Sequence, residues 1–203
     1  IRKVKKNKGA PGVDKMTVQE VEEWFNQYKE ELISKILNKQ YKPMPVKRVY
    51  IPKPNGKQRP LGIPTVVDRV IQQAMLQVLS EIYEPIFSDH SYGFRPNRSA
   101  HMAMGEVLGY LNAGYEWIVD LDIEKILRER VNDSRTLHLI RAYLQAGVLD
   151  KGLVRSSTIG TPQGGPISVI LSNIYLDKFD KELESRNLRF ARYADDCIIF
   201  VKS

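Results

Sequence analysis

Apolar residues recur at helical spacing over much of the chain and alternate with polar ones in a few short stretches. Val21, Trp24, Phe25, Tyr28, Leu32 and Ile36 share one helical face, so residues 17–38 are expected to form an amphipathic helix. Thr17-Val18-Gln19-Glu20 reads as the capping box that opens it. Lys42-Pro43-Met44-Pro45 ends the pattern, because a residue before proline avoids helical backbone. Residues 46–51 then read as a strand, 52–56 as a turn and 57–61 as a returning strand, together a basic hairpin. A second helix is expected over 65–83, with Val67, Val70, Ile71, Ala74, Met75, Val78, Leu79 and Ile82 on its buried face. A third spans 99–113 and stops at Gly114, and a fourth spans 127–146 and stops at Gly147. A fifth starts near Pro166, which suits a first turn, and runs through Ile170, Ile174, Phe179 and Leu183. Trp117, Val119, Leu121 and Ile123 alternate with Asp120 and Asp122, as in a strand with two faces. Residues 190–201 read as two short strands around a tight Ala-Asp-Asp turn. The expected class is α+β, a small antiparallel sheet packed on helices.

Composition narrows the function. A 203-residue chain buries roughly 70% of its unfolded surface and needs no covalent staples. Its single cysteine, Cys197, cannot form an internal disulfide, which points to a reducing, cytoplasmic setting. No apolar run approaches the length of a membrane span. Residues 1–59 hold 15 Lys/Arg against 6 Asp/Glu, or +9; the rest hold 16 against 18, or −2. A basic N-terminal third joined to a slightly acidic remainder suggests polyanion binding at one end and cation chemistry at the other. A solvated lysine-rich surface gives the same count.

Candidate chemistry sits in five places. Asp120 and Asp122 lie on one apolar strand, and Asp195 and Asp196 lie at the turn between two others. Adjacent strand residues point to opposite faces, so Asp195 and Asp196 can converge only at a turn. Carboxylates among Ile, Val and Phe are costly unless paired or holding cations, and hard oxygen ligands suit Mg²⁺. Ordinary turn and edge-strand acids are the plain alternative. The segment 53–59 carries Lys53, Lys57 and Arg59 on a turn that could fold over a triphosphate, or be a solvated tip. Thr161-Pro162-Gln163-Gly164-Gly165-Pro166 enters a helix through paired glycines, as an anion site or a bare helix entry. His90 to Ser99 interleaves Tyr92, Phe94, Arg95 and Arg98, as single-strand contacts do; an Arg-aromatic turn packed for structure is the competing reading. His101 and His138 stand alone on helices and receive no role. The Tyr28, Leu32 and Ile36 face belongs either to the core or to an interface between copies, as in a homodimer.

Taken in order, these segments resemble the blocks of group II intron reverse transcriptases, the maturases. Asn7-Lys8-Gly9-Ala10-Pro11-Gly12-Val13-Asp14 looks like their N-terminal block. Tyr50-Ile51-Pro52-Lys53 through Arg59-Pro60-Leu61-Gly62-Ile63-Pro64 looks like the fingers hairpin. Tyr92-Gly93-Phe94-Arg95-Pro96, Asp120-Leu121-Asp122, Gly160-Thr161-Pro162-Gln163-Gly164-Gly165 and Tyr193-Ala194-Asp195-Asp196 follow in the family's order. The resemblance covers practically the whole chain, and the order of the motifs makes it specific. It implies a right-hand polymerase, with an N-terminal extension, the fingers and part of the palm over 1–115 and the palm with its catalytic carboxylates over 116–203. It implies RNA-directed DNA polymerisation with two Mg²⁺, replaceable by Mn²⁺. Asp122, rather than Asp120, is then the first catalytic acid, with Asp195 and Asp196 the others and Ile123 lending a metal ligand beside Asp122. Lys53, Arg59 and Gln163 would meet the incoming dNTP. Lys3, Lys5, Lys6, Lys8, Arg48, Phe94, Arg95 and Arg98 would meet primer–template or intron RNA. The thumb and RNA-binding maturase domain are expected beyond Ser203, in a bacterial cytoplasmic protein that also assists splicing and mobility. A non-catalytic RNA-clamping splicing module, or a retron or CRISPR-associated reverse transcriptase, are the other readings. One departure stands out: after Lys125 the family continues with an aromatic pair, an aspartate and a His-containing stretch, whereas Ile126-Leu127-Arg128 follows here. Roughly a dozen family residues, with the aromatic that stacks beneath the incoming sugar, have no counterpart, beyond what ordinary loop variation requires.

Overall fold

The computed structural model describes residues 1–203 apart from 53–55, 57, 116, 120–132, 151–152, 156–164 and 202–203. In chain order the elements are α1 (Arg2–Lys6), α2 (Val21–Leu37), β1 (Val46–Pro52), β2 (Gln58–Ile63), α3 (Val66–Tyr83), α4 (Ala100–Asn112) and β3 (Trp117–Val119). They continue with α5 (Ser134–Gln145), β4 (Val148–Asp150), β5 (Leu153–Arg155), α6 (Pro166–Ser185), β6 (Arg189–Tyr193) and β7 (Asp196–Val201). The class is α+β. Two units form, each from two stretches: Ile1–Leu76 with Arg130–Ser168, and Gln77–Glu129 with Val169–Ser203.

The first unit contains a four-stranded sheet in the order β2-β1-β4-β5. The expected hairpin is antiparallel, from Lys47↔Ile63 to Pro52↔Gln58. Beside it β1 pairs in parallel with β4, through Val46↔Val148 and Lys47↔Leu149, and β4 turns back on β5. This parallel pairing has no counterpart in the sequence reading, because β4 and β5 have three residues each, too short for alternation to show. Leu32, Val67, Ile71, Leu139 and Tyr143 form the core, with Trp24, Phe25 and Ile36 packed on it. Leu32 and Ile36 are therefore core residues, and only Tyr28 stands at the exposed margin. A second cluster joins Val4, Val18, Val21 and Val66. It explains α1, whose one buried residue, Val4, gives no periodicity to read.

Local starts differ from expectation where side chains choose other partners. The Thr17 hydroxyl donates to the Glu20 carboxylate, which also accepts from the Thr17 backbone N–H. That hydroxyl no longer caps a backbone donor, and α2 begins at Val21 instead of at 17. At α3, Thr65 Oγ1 accepts from the Asp68 N–H and donates to the Asp68 carboxylate at 2.7 Å. Tyr41 Oη and the Met44 N–H donate to the same carboxylate and tie the approach to β1 onto the helix. On the far half of α3 the buried face is Leu79 and Tyr83, while Val78 and Ile82 are exposed, contrary to the expected stripe. The N-terminal block lies along the start of α3: Arg69 Nη2 donates to Ala10 O at 2.8 Å.

In the second unit β3, β7 and β6 form the antiparallel sheet. Alternation places Ala191 and Phe200 with Ala103 and Val107 of α4, and Phe190, Cys197 and Ile199 with Leu183 of α6. Ser99 caps α4 by accepting from the Met102 N–H. Gly114 and Gly147 follow α4 and α5 in left-handed conformation, at φ 81° and 73°, as the helix ends required.

Candidate active site

β6 and β7 pair in register up to Tyr193↔Asp196, so Ala194 and Asp195 are the two central residues of the connecting turn. Ala194 has φ 61°, and Asp195 is not among the residues of positive φ, a pattern of the type II′ kind that matches strand twist. The hairpin behind the turn is apolar and buried at Phe190, Ala191, Cys197, Ile199 and Phe200. Asp195 and Asp196 are exposed at its tip, and among the described residues neither carboxylate has a hydrogen bond or ion pair. The turn thus resolves the problem of adjacent acids: one lies in the turn and the other opens β7.

The loop between α3 and α4 cradles that turn. A Cβ on Gly93 would lie 2.1 Å from the Ala194 nitrogen and 2.8 Å from its Cα, so only glycine admits the two backbones side by side. The Tyr92 N–H donates to Arg192 O at 2.8 Å and the Arg192 N–H donates to His90 O at 2.9 Å, stitching loop to strand. Phe94, with φ 58° and 61% exposure, leans on Tyr193, which is 37% exposed, at 6.3 Å between rings. Two exposed aromatics therefore stand beside the two exposed carboxylates.

His90, Tyr92, Glu106 and Tyr110 form a polar knot on the α4 side. His90 Nδ1 lies 2.5 Å from Glu106 Oε1, which also accepts from Tyr110 Oη at 2.8 Å. Donating a hydrogen bond to the Glu106 carboxylate holds His90 above its usual value, against the opposing effect of burial. Burial works to raise the Glu106 carboxyl, but bonds from His90, Tyr92 and Tyr110 outweigh it and leave the group below its usual range. Burial and the neighbouring Glu106 push the Tyr92 hydroxyl up to about 12.

Comparison with known proteins shows the family of the chain. Residues 51–203 match the family described as reverse transcriptase (RNA-dependent DNA polymerase). The chain belongs to the reverse transcriptase family. Protein YkfC of Escherichia coli is 40% identical over 200 residues, covering 90% of this chain and 52% of that protein. The group II intron-encoded protein LtrA of Lactococcus lactis is 38% identical over 188 residues, covering 84% of this chain and 31% of that protein. The putative COX1/OXI3 intron 2 protein of Saccharomyces cerevisiae is 36% identical over 172 residues, covering 78% of this chain and 20% of that protein. Kinship thus runs to group II intron-encoded proteins, as the motif order implied, and the chain spans about half or less of these relatives' length.

Of the reverse transcriptase residues expected at the site, Asp195, Asp196 and Phe94 are brought together at one turn. Asp122, Ile123, Lys53 and Gln163 lie outside the described residues, as does the segment that follows Lys125. Among the described residues, no group of three or more His, Cys, Asp or Glu side chains could hold a metal. Arg59 sits exposed on β2, and Arg48 is half-buried on β1. Lys3, Lys6 and Lys8 are exposed, while Lys5 pairs with Glu22 at 2.7 Å. Arg95 takes the packed-turn role that the sequence left open. It is buried, with Nη1 donating to Ser88 O and Ser91 O, and Nε and Nη2 to Glu84. Its planar fork satisfies carbonyls of a loop that has no ladder of its own, which leaves it no donor for a phosphate. Arg98 turns to Asp89 and over the Tyr92 ring. No helix among the described residues is long and apolar enough to cross a membrane.

The residues that sequence reasoning missed lie beneath the turn. Arg192, Asp180 and Asn173 are almost wholly buried and bonded together. Their signal was present as an arginine between the apolar residues of a strand and a polar stripe Asn173-Asp177-Asp180-Glu184 along α6. Such a stripe ordinarily marks a solvated face.

Proposed function

We propose that this chain carries the polymerase site of an RNA-directed DNA polymerase encoded by a group II intron, in a protein that also assists splicing and mobility of that intron. The observation that carries the reading is the turn: two carboxylates, unpaired among the described residues, are presented at the tip of a buried apolar hairpin, flanked by two exposed aromatics. The donor set fits Mg²⁺. Asp195 and Asp196 offer hard oxygens still open to water, and Mg²⁺ keeps several waters and binds through one or two carboxylates plus substrate phosphate. Asp195 and Asp196 would hold two ions together with Asp122 and the backbone of Ile123; Mn²⁺ would serve in their place. When bound, the ions supply charge neutralisation at the transferring phosphate and lower the pKa of the attacking hydroxyl.

The reaction is in-line attack of a primer 3′-hydroxyl on the α-phosphate of a dNTP, with pyrophosphate leaving. The protein's part is positioning and charge rather than covalent chemistry. The turn fixes the two carboxylates relative to each other, and Phe94 and Tyr193 give bases or sugars a face to stack on. Lys53, Arg59 and Gln163 are assigned to the dNTP through the family resemblance. Exposed Lys3, Lys6 and Lys8, with Lys5, Arg48 and Arg98, are assigned to the RNA backbone.

In the full-length protein, Asp195→Asn or Asp196→Asn is expected to abolish Mg²⁺-dependent cDNA synthesis and to leave the thermal melting temperature unchanged. Retained synthesis would refute the site. The non-catalytic splicing reading is favoured instead if the wild-type protein binds intron RNA tightly and in a salt-sensitive way yet incorporates no dNTP.

A further inference from the structure

Arg192 stands one residue before the end of β6, with its side chain turned inward and 1% exposed. All five of its N–H donors are engaged. Nε donates to Asp180 Oδ1 at 2.8 Å, and Nη2 to Asp180 Oδ2 at 2.6 Å and Ser91 Oγ at 2.8 Å. Nη1 donates to Ala194 O at 2.7 Å and Asn173 Oδ1 at 3.1 Å. Asn173 in turn donates from Nδ2 to Gly93 O at 2.9 Å. Gly93 is the residue whose Cα abuts the Ala194 backbone. The network therefore closes on the turn from both sides, through the Ala194 carbonyl and through the loop that backs it.

Two features need an account. A buried bidentate ion pair adds little net stability over well-packed apolar side chains of similar volume. And Ala194 is held at φ 61°, a conformation that a non-glycine residue keeps only where its surroundings over-determine it. One explanation covers both: the guanidinium is there for the carbonyl it grips, and Asp180 is there to fix the guanidinium. We propose that Arg192, oriented by Asp180 and Asn173, is a positioning residue that locks the Ala194 turn and so sets how Asp195 and Asp196 present their oxygens to divalent cations. This rests on the polymerase reading above. Arg192 touches neither substrate nor cation; it acts through the backbone of the turn.

The test uses the full-length protein in three forms besides wild type: Asp195→Asn, Arg192→Lys, and Arg192→Met combined with Asp180→Leu. Lysine keeps the charge but loses the fork; the apolar pair keeps the volume but removes the grip on Ala194. Mn²⁺ titration followed by electron paramagnetic resonance reads the component of binding that Asp195→Asn removes, with melting temperature and primer–template affinity measured alongside. Both Arg192 forms are expected to fold and to bind primer–template as wild type, while that Mn²⁺ component weakens about tenfold or more. In steady-state assays kcat should fall, with KM for dNTP little changed. Folded variants that bind Mn²⁺ as wild type overturn the positioning role alone. An Asp195→Asn protein whose Mn²⁺ binding equals wild type overturns the polymerase site itself. Failure of both Arg192 forms to fold makes the network a folding device and overturns the proposal as well.

Discussion

Gly93 and Ala194 show how little room the site leaves at the scale of single residues. With no side chain on Gly93, two backbones run close enough for Asn173 to reach its carbonyl and for the turn to rest on the loop. A methyl group there would meet main-chain atoms, not a flexible side-chain end. Gly93→Ala is expected to cost about 2–3 kcal/mol of stability, the upper part of the usual range for overpacking. Chemical denaturation of wild type and variant would measure it, and a cost below about 0.5 kcal/mol, the ordinary scatter of surface changes, would show that the turn can move aside. Arg95 makes the opposite point. An arginine amid aromatics looks like a nucleic-acid contact in sequence, yet its donors are turned inward to Glu84, Ser88 and Ser91, which makes it a loop anchor.

At the scale of elements, α4 is fastened to the loop and to β6 by both packing and charge. Ala103 and Val107 pack on Ala191 and Phe200, while Glu106 binds His90. His90 titrates above its ordinary 6.5 when folded, so its contribution is fully present below that value and is lost as pH rises through the raised one. Glu106 titrates below its ordinary 4.5, so its contribution is present above that value and is lost as pH falls through the lowered one. The pair is fully formed between these limits. The stability difference between wild type and His90→Gln should therefore be largest at mildly acidic pH, on the order of 1–2 kcal/mol, and shrink on either side. Melting curves across pH would check this; a difference that grows steadily toward alkaline pH would contradict the pairing.

At the scale of the whole molecule, charge is divided along the chain. Residues 1–59 carry +9 and the rest −2, and Lys3, Lys6 and Lys8 stand exposed in the first stretch. If these lysines neutralise RNA phosphates, each contributes about 0.7 to the slope of log affinity against log salt for single strands. Replacing all three with alanine in the full-length protein should flatten that slope by about 2 and weaken binding to intron RNA, measured by filter binding over a range of salt. An unchanged slope would place the RNA contacts elsewhere. Lys5 is left in place because Glu22 already holds it.

The sequence by itself determined the larger helices, the two hairpins and the family. Periodicity over many residues and an ordered set of motifs are local properties that survive without coordinates. It also determined that Asp195 and Asp196 had to sit at a turn, because neighbours on a strand face apart. What only the tertiary structure decided is which polar residues face inward. Asn173, Asp180 and Arg192 look, one by one, like a helix's wet face and an odd strand residue; brought together they saturate each other's hydrogen bonds and become buried. The same holds for β4, whose three residues acquire meaning only beside β1, and for Arg95, whose partners are spread from Glu84 to Ser91. Burial of a polar group depends on partners that arrive from elsewhere in the chain, and no local pattern records their arrival.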